Sequence, residues 1–92
     1  MIKSYRDRQT LRFADGQRIQ AFQGFAKQAE KRLETLDAAE SLQDLRSLRS
    51  NRLETLKGDR EGQYSIRINS QWRICFEWLD NGVYEAEIVD YH

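Results

Sequence analysis

The chain ends in Asp90-Tyr91-His92, three residues able to move protons. In an extended strand successive side chains take opposite faces, so Asp90 and His92 share a side and Tyr91 presents its ring and hydroxyl on the other. An aspartate beside an imidazole orients the ring and favours its charged form. His92 is the one histidine of the chain. It is the side chain whose ordinary pKa lies near neutrality, where one group can both take and give a proton. The competing reading is a frayed chain end with no role.

Arg67 and Arg73 make a second candidate. Tyr64, Ile66 and Ile68 alternate with Ser65, Arg67 and Asn69; Trp72, Ile74, Phe76 and Trp78 alternate with Arg73, Cys75, Glu77 and Leu79. The apolar members must face the rest of the core, so parity sends both arginines to the opposite face. Two guanidinium groups on an open sheet face would bind phosphate. The alternative is cross-strand pairing with Glu77, Glu85 or Glu87. On the open-face reading, truncating Arg73 should change stability by no more than ~0.5 kcal/mol.

The run Lys57-Gly58-Asp59-Arg60-Glu61-Gly62 is either a plain turn or a cationic loop that approaches a phosphate. It lacks the spacing of a Walker P-loop. No spacing suggests a Ser/His/Asp triad. Cys75 shares the parity of Arg73 and is expected to be partly exposed, but it is assigned no role. With one cysteine and one histidine, a structural zinc site has too few ligands, and no cofactor is expected.

These groups need a scaffold. Ninety-two residues suffice for one domain with a small core. The start MIKSYRDRQT has no apolar segment of signal-peptide type, and no stretch approaches bilayer length. The lone cysteine rules out an internal disulfide, which fits a reducing cytoplasm. Net charge is zero, but it is unevenly spread. Residues 46–73 carry seven Lys or Arg against three acids, and residues 74–92 carry five acids and no Lys or Arg. A basic middle can bind phosphate even in a neutral chain, although such charges often only face water.

Periodicity supplies the elements. Residues 2–5 alternate as a short strand, and residues 7–15 form a short helix ending near Gly16. Ile19, Phe22, Ala26, Ala29, Leu33 and Leu36 fall on one helical face, with Gly24 delaying the stable helix to about Phe25. Ser41 caps a second helix, with Asp44 as its capping-box partner and Leu42, Leu45 and Leu48 as the buried side. Strands follow around turns at Asn69-Ser70-Gln71 and Asp80-Asn81-Gly82, the latter an Asn-Gly hairpin signal. Helices first and then consecutive antiparallel strands make an α+β fold with helices on one sheet face.

The run LKGDREGQYSIRINSQWRICFEW, the end EIVDYH, the start MIKSY and the stretch LDAAESLQDLRS together resemble the HigB branch of the RelE/ParE toxin superfamily over essentially the whole chain. The resemblance implies a RelE-like fold and a toxin of a type II toxin–antitoxin pair. Such a toxin cuts mRNA on the ribosome without a metal and is held inactive by a HigA-type helix-turn-helix antitoxin. It implies Arg73 at the scissile phosphate, Asp90, Tyr91 and His92 as the terminal catalytic group, and Lys57 and Arg60 in a basic loop near the RNA; strand parity adds Arg67 as a further contact to the RNA backbone. One departure stands out. Many HigB toxins read Leu-His-Pro-Leu-Lys-Gly where this chain has Leu53-Glu54-Thr55-Leu56-Lys57-Gly58. Glu54 then either weakens cleavage or takes up proton transfer. Two other readings of the same fold are a ParE-like toxin directed at gyrase, for which the terminal Asp-Tyr-His has no use, and a catalytically weak relative that binds an antitoxin.

Overall fold

The computed structural model describes residues 1–90; the expectations for Tyr91 and His92 lie outside the described residues. Three helices, α1 (Arg8–Ala14), α2 (Ala26–Ala38) and α3 (Leu42–Ser47), precede four strands, β1 (Glu54–Thr55), β2 (Tyr64–Arg67), β3 (Trp72–Leu79) and β4 (Gly82–Asp90). The strands form an antiparallel sheet in the order β1-β2-β3-β4. This is the expected α+β arrangement. β1 is an addition, since Glu54 and Thr55 show no alternation and become a strand only by pairing with Ser65 and Tyr64.

The α2 stripe is as expected: Ala29, Leu33 and Leu36 are buried. Gly24 lies in a 3₁₀ turn, Gln20–Phe25, that precedes the helix and buries Phe22 and Phe25, in keeping with the poor helix propensity of glycine. At α3 the Ser41 hydroxyl accepts from the Asp44 N–H at 3.1 Å. The Asp44 carboxylate in turn accepts from the Glu40 N–H at 2.9 Å, one residue before the usual capping-box partner. Leu45 is buried, but Leu48 is 48% exposed, against expectation. The helix ends at Ser47 and Leu48 takes an extended backbone, φ −91° and ψ 99°, so three-residue spacing no longer keeps it on the buried face.

Sheet and helices meet through the expected apolar parity. Ile66, Ile68, Ile74, Phe76 and Ile88 form one core cluster with the helix-side residues, and Trp72 and Trp78 pack against its edge. The Trp72 ring lies 4.8 Å from Phe25 and 6.0 Å from Phe22 between centroids, within the range of favourable aromatic pairs. Among the described residues no helix is long and apolar enough to cross a membrane.

Two local expectations shift. The β3–β4 hairpin turns on Asp80 and Asn81, with φ 49° and 60°, and Leu79 pairs with Gly82. The positive-φ pair is thus one residue earlier than Asn-Gly, at two residue types whose short polar side chains tolerate that region. Gly82 instead opens β4, where a Cβ would come within 3.1 Å of the Lys3 Cγ. The start of the chain makes two isolated parallel bridges, Ile2 to Val83 and Tyr5 to Ala86, rather than a continuous strand. Between them Glu85 adopts φ 54°, and the Ser4 hydroxyl accepts from its N–H at 2.9 Å while donating to its carboxylate at 3.2 Å.

Candidate active site

Register assigns the chemistry-bearing residues to faces. Glu54 lies opposite Ser65, Ser65 opposite Cys75, and Arg67 opposite Arg73, all on the face away from the helices. That face was expected to be open. It is not: Ser65 and Cys75 are fully buried, and Leu56 and Gln63, contributed by the loop region after β1, are also buried. The bond from the Leu56 N–H to the Gln63 carbonyl, 2.9 Å, closes the base of the loop, and Arg60 reaches from it across this face to Glu87 of β4 at 3.2 Å.

Arg73 is therefore held inside, at 8% exposure. Its Nε donates to the Ser65 hydroxyl at 2.7 Å. Its Nη2 donates to the carbonyls of Arg52 and Ser65 and lies 3.9 Å from a carboxylate oxygen of Glu54. Among the described residues Nη1 donates no hydrogen bond. Neither the open-face reading nor pairing with Glu77, Glu85 or Glu87 is correct. The partners come from β1, β2 and the turn before β1, and a truncation here is not a surface change.

The Arg52 carbonyl is aimed by backbone geometry. Arg52 is left-handed, φ 45° and ψ 55°, and follows the short turn Arg49–Asn51. Asn51 is fully buried. Its amide donates to the Leu45 carbonyl at 3.0 Å and accepts from Arg32 at 2.7 Å, while Arg32 also donates to the Ser50 carbonyl at 3.1 Å. α2 and α3 thus fix the turn that holds Arg73. The sequence reading missed Arg52, Asn51 and Ser65 as site residues. Ser65 was findable, because it shares the parity of Arg67. A non-glycine residue in the left-handed region leaves no comparable signal.

The remaining candidates are spread around this cluster. Lys57 is exposed at the start of the loop. Arg60 turns inward, donating to Gln63 at 3.1 Å and pairing with Glu87 at 3.2 Å. Arg67 is half-buried and donates from Nε to the Asn69 carbonyl at 3.0 Å. Asp90 is exposed and accepts from the Gln71 amide at 2.9 Å. It pairs with Trp72, whereas Arg73 pairs with Val89. Asp90 and Arg73 therefore share one end of the sheet but not one face.

Cys75 is buried, contrary to the partial exposure expected of it. Burial pushes its thiol up; Arg60 pulls the other way, and Glu87 adds to the rise. A buried, protonated thiol is unreactive. Cys75 in the folded protein is expected to react with a thiol-specific alkylating reagent on the order of 10²-fold or more slowly than in urea, because reaction waits on opening. Equal rates would show that the loop does not cover it.

With this geometry in place, likeness to known proteins can be set beside it. Residues 3–92 match the family model described as the RelE-like toxin of the type II toxin–antitoxin system HigB. The chain is 44% identical over 41 residues to the Endoribonuclease HigB of Proteus vulgaris, a match covering 45% of each protein. It is 45% identical over 42 residues to Toxin HigB-1 of Vibrio cholerae serotype O1, covering 46% of this chain and 43% of that one. The matched stretch spans less than half the length of either relative. The fold is similar to a chain of the YoeB-YefM complex from Staphylococcus aureus, with a TM-score of 0.62 and 23% identity, covering 100% of this chain and 98% of that one.

Proposed function

Because this chain belongs to the HigB-like family of RelE-like toxins, we propose that it is an endoribonuclease toxin that cuts mRNA on the ribosome and is silenced by a HigA-type helix-turn-helix antitoxin. The observation that carries the reading is the Arg73 cluster: a guanidinium fixed by Ser65 and Arg52, with the Glu54 carboxylate 3.9 Å away. A cation held in place before the substrate arrives needs no reorganisation to meet developing negative charge. The relative from Proteus vulgaris that bears the name endoribonuclease supports the same reaction class.

The reaction is attack of a ribose 2′-oxygen on the adjacent phosphorus. The P–O5′ bond breaks, leaving a 2′,3′-cyclic phosphate and a 5′-hydroxyl. The 2′-hydroxyl proton is taken up as the 2′-oxygen attacks, and a proton is delivered to the departing 5′-oxygen. We assign proton transfer to His92, its orientation to Asp90, and stabilisation of the phosphorane charge to the Nη1 side of Arg73; Asp90 and Arg73 take opposite faces, so in this reading the scissile phosphate lies over the sheet end that they share. Tyr91 stacks on or hydrogen-bonds to a nucleotide, and Lys57, Arg60 and Arg67 hold the backbone. Glu54 is the second proton-transfer candidate, since it already stands beside Arg73. No step calls for a metal.

Induced expression of the chain alone is expected to arrest bacterial growth and to produce new 5′ ends within translated mRNA, read by primer extension. Co-expression of the antitoxin should abolish both. Growth arrest with intact mRNA and inhibited gyrase would overturn the assignment in favour of the ParE-like class.

A further inference from the structure

A second cationic surface lies beyond the Arg73 cluster. One open groove of about 420 Å³ is lined by Arg46, Leu48, Arg49, Arg52 and Leu53. A neighbouring groove of about 520 Å³ brings together Arg32, Arg52 and Arg67 with polar neighbours. Arg52 belongs to both, and no acidic residue lines either one. Among the described residues the side chains of Arg46, Arg49 and Arg52 make no ion pair and no hydrogen bond. Like charges gathered without counter-charge repel one another, and such a cluster is stabilised by a polyanion.

We propose that this surface is a docking site for single-stranded RNA that leads the strand to Arg73. The inference rests on the RNA-cleaving reading and adds to it a non-catalytic binding site on the α3–β1 connection. Three features favour RNA. The cations line two grooves that share Arg52, so several positive charges face one surface, which suits a polyanion better than a single carboxylate. Leu48, 48% exposed between Arg46 and Arg49, offers an apolar surface to an unstacked base. Arg52 lines both grooves, and its carbonyl accepts from Arg73, so the grooves adjoin the residue that holds the cluster. The support is rigid, since buried Asn51 and Arg32 pin the turn.

The test measures binding of a 20-nucleotide oligouridylate, at several salt concentrations, to the full chain and to an Arg46→Gln/Arg49→Gln variant. Both arginines are exposed, and a Lys variant at each position provides a second, charge-preserving comparison. Each lost phosphate contact lowers the slope of log K against log salt by about 0.7 on a single strand. The Gln variant should therefore lose about 1.4 in slope and bind more weakly at low salt, while the Lys variant stays near the original. Unchanged affinity and slope, or no RNA binding by the full chain, would overturn the proposal. A Gln variant that keeps RNA affinity but loses its antitoxin would also overturn it, assigning the surface to an acidic protein segment. Arginine-dependent RNA binding without mRNA cleavage in cells would leave this site standing and remove the endoribonuclease reading.

Discussion

Arg73→Ala is expected to cost both stability and RNA cleavage. Its guanidinium serves the Ser65 hydroxyl, the Ser65 carbonyl and the Arg52 carbonyl, and Ser65 is fully buried. Leaving a buried polar group without its partner costs about 1–3 kcal/mol. Three acceptors lose their partner, and water entering the space left by the side chain recovers part of that cost, so the net loss should be about 2–4 kcal/mol. In a domain of this size each kcal/mol lowers the melting temperature by roughly 4–8 °C. Loss of activity in the alanine variant alone would thus confuse unfolding with chemistry. Arg73→Lys separates them. It keeps a buried cation able to donate to Ser65 or Arg52, but it cannot hold both and still offer a free edge to a phosphate. Cleavage should fall by about 10²–10³-fold, the scale of losing one preorganised donor to a developing oxyanion, under conditions where circular dichroism shows the variant folded. Ser65→Ala should give a smaller loss in kcat with little change in KM, because the charge stays and only its aim is loosened. If Arg73→Lys cuts ribosome-bound mRNA as fast as the unaltered chain, Arg73 is a structural cation and the phosphate assignment fails.

The same arginine shows what sequence reasoning reaches here and where it stops. Strand parity correctly sent Arg73 away from Ile74 and Phe76, because alternation depends only on backbone geometry. It could not say that this face was covered. That depends on the chain from Arg52 to Gln63 folding back, and a left-handed arginine and a two-residue strand leave no periodic trace. Cys75 was misjudged for the same reason. The α2 stripe and the Ser41 cap were legible because helix spacing and capping are local. Leu48 was not, because three-residue spacing holds only while the helix continues, and it stops one residue earlier. The site divides likewise. Arg67, Arg73 and Glu54 were found by residue type or by resemblance. Ser65 and Arg52, which hold Arg73, act through a hydroxyl and a backbone carbonyl that residue type does not advertise.

Deleting His92 alone is expected to abolish cleavage while leaving folding and antitoxin binding intact. The core cluster is built from residues of the helices and of β2 to β4 up to Ile88, with Tyr5 and Trp72 at its edges. Removing one terminal residue from such a chain takes away little packing, so the melting temperature should change little. The chemistry is another matter. Arg73 can stabilise charge, but a guanidinium offers donors and no acceptor, so it cannot take the 2′-hydroxyl proton. The two leading candidates for that step are His92, whose residue type suits it to accept one proton and release it again, and Glu54, whose carboxylate stands 3.9 Å from Arg73. Loss of a positioned general acid or base typically costs about 10²–10⁴-fold in rate. The His92 deletion should show a loss on that scale, and His92→Gln should show nearly the same, because glutamine keeps hydrogen bonding but not titration. Glu54→Gln should then have the smaller effect. It could even speed cleavage, by removing a negative charge that competes with the phosphate for Arg73. The reverse order, with the deletion cutting at the original rate and Glu54→Gln inactive, would move the proton transfer to Glu54 and leave the chain end without a catalytic role.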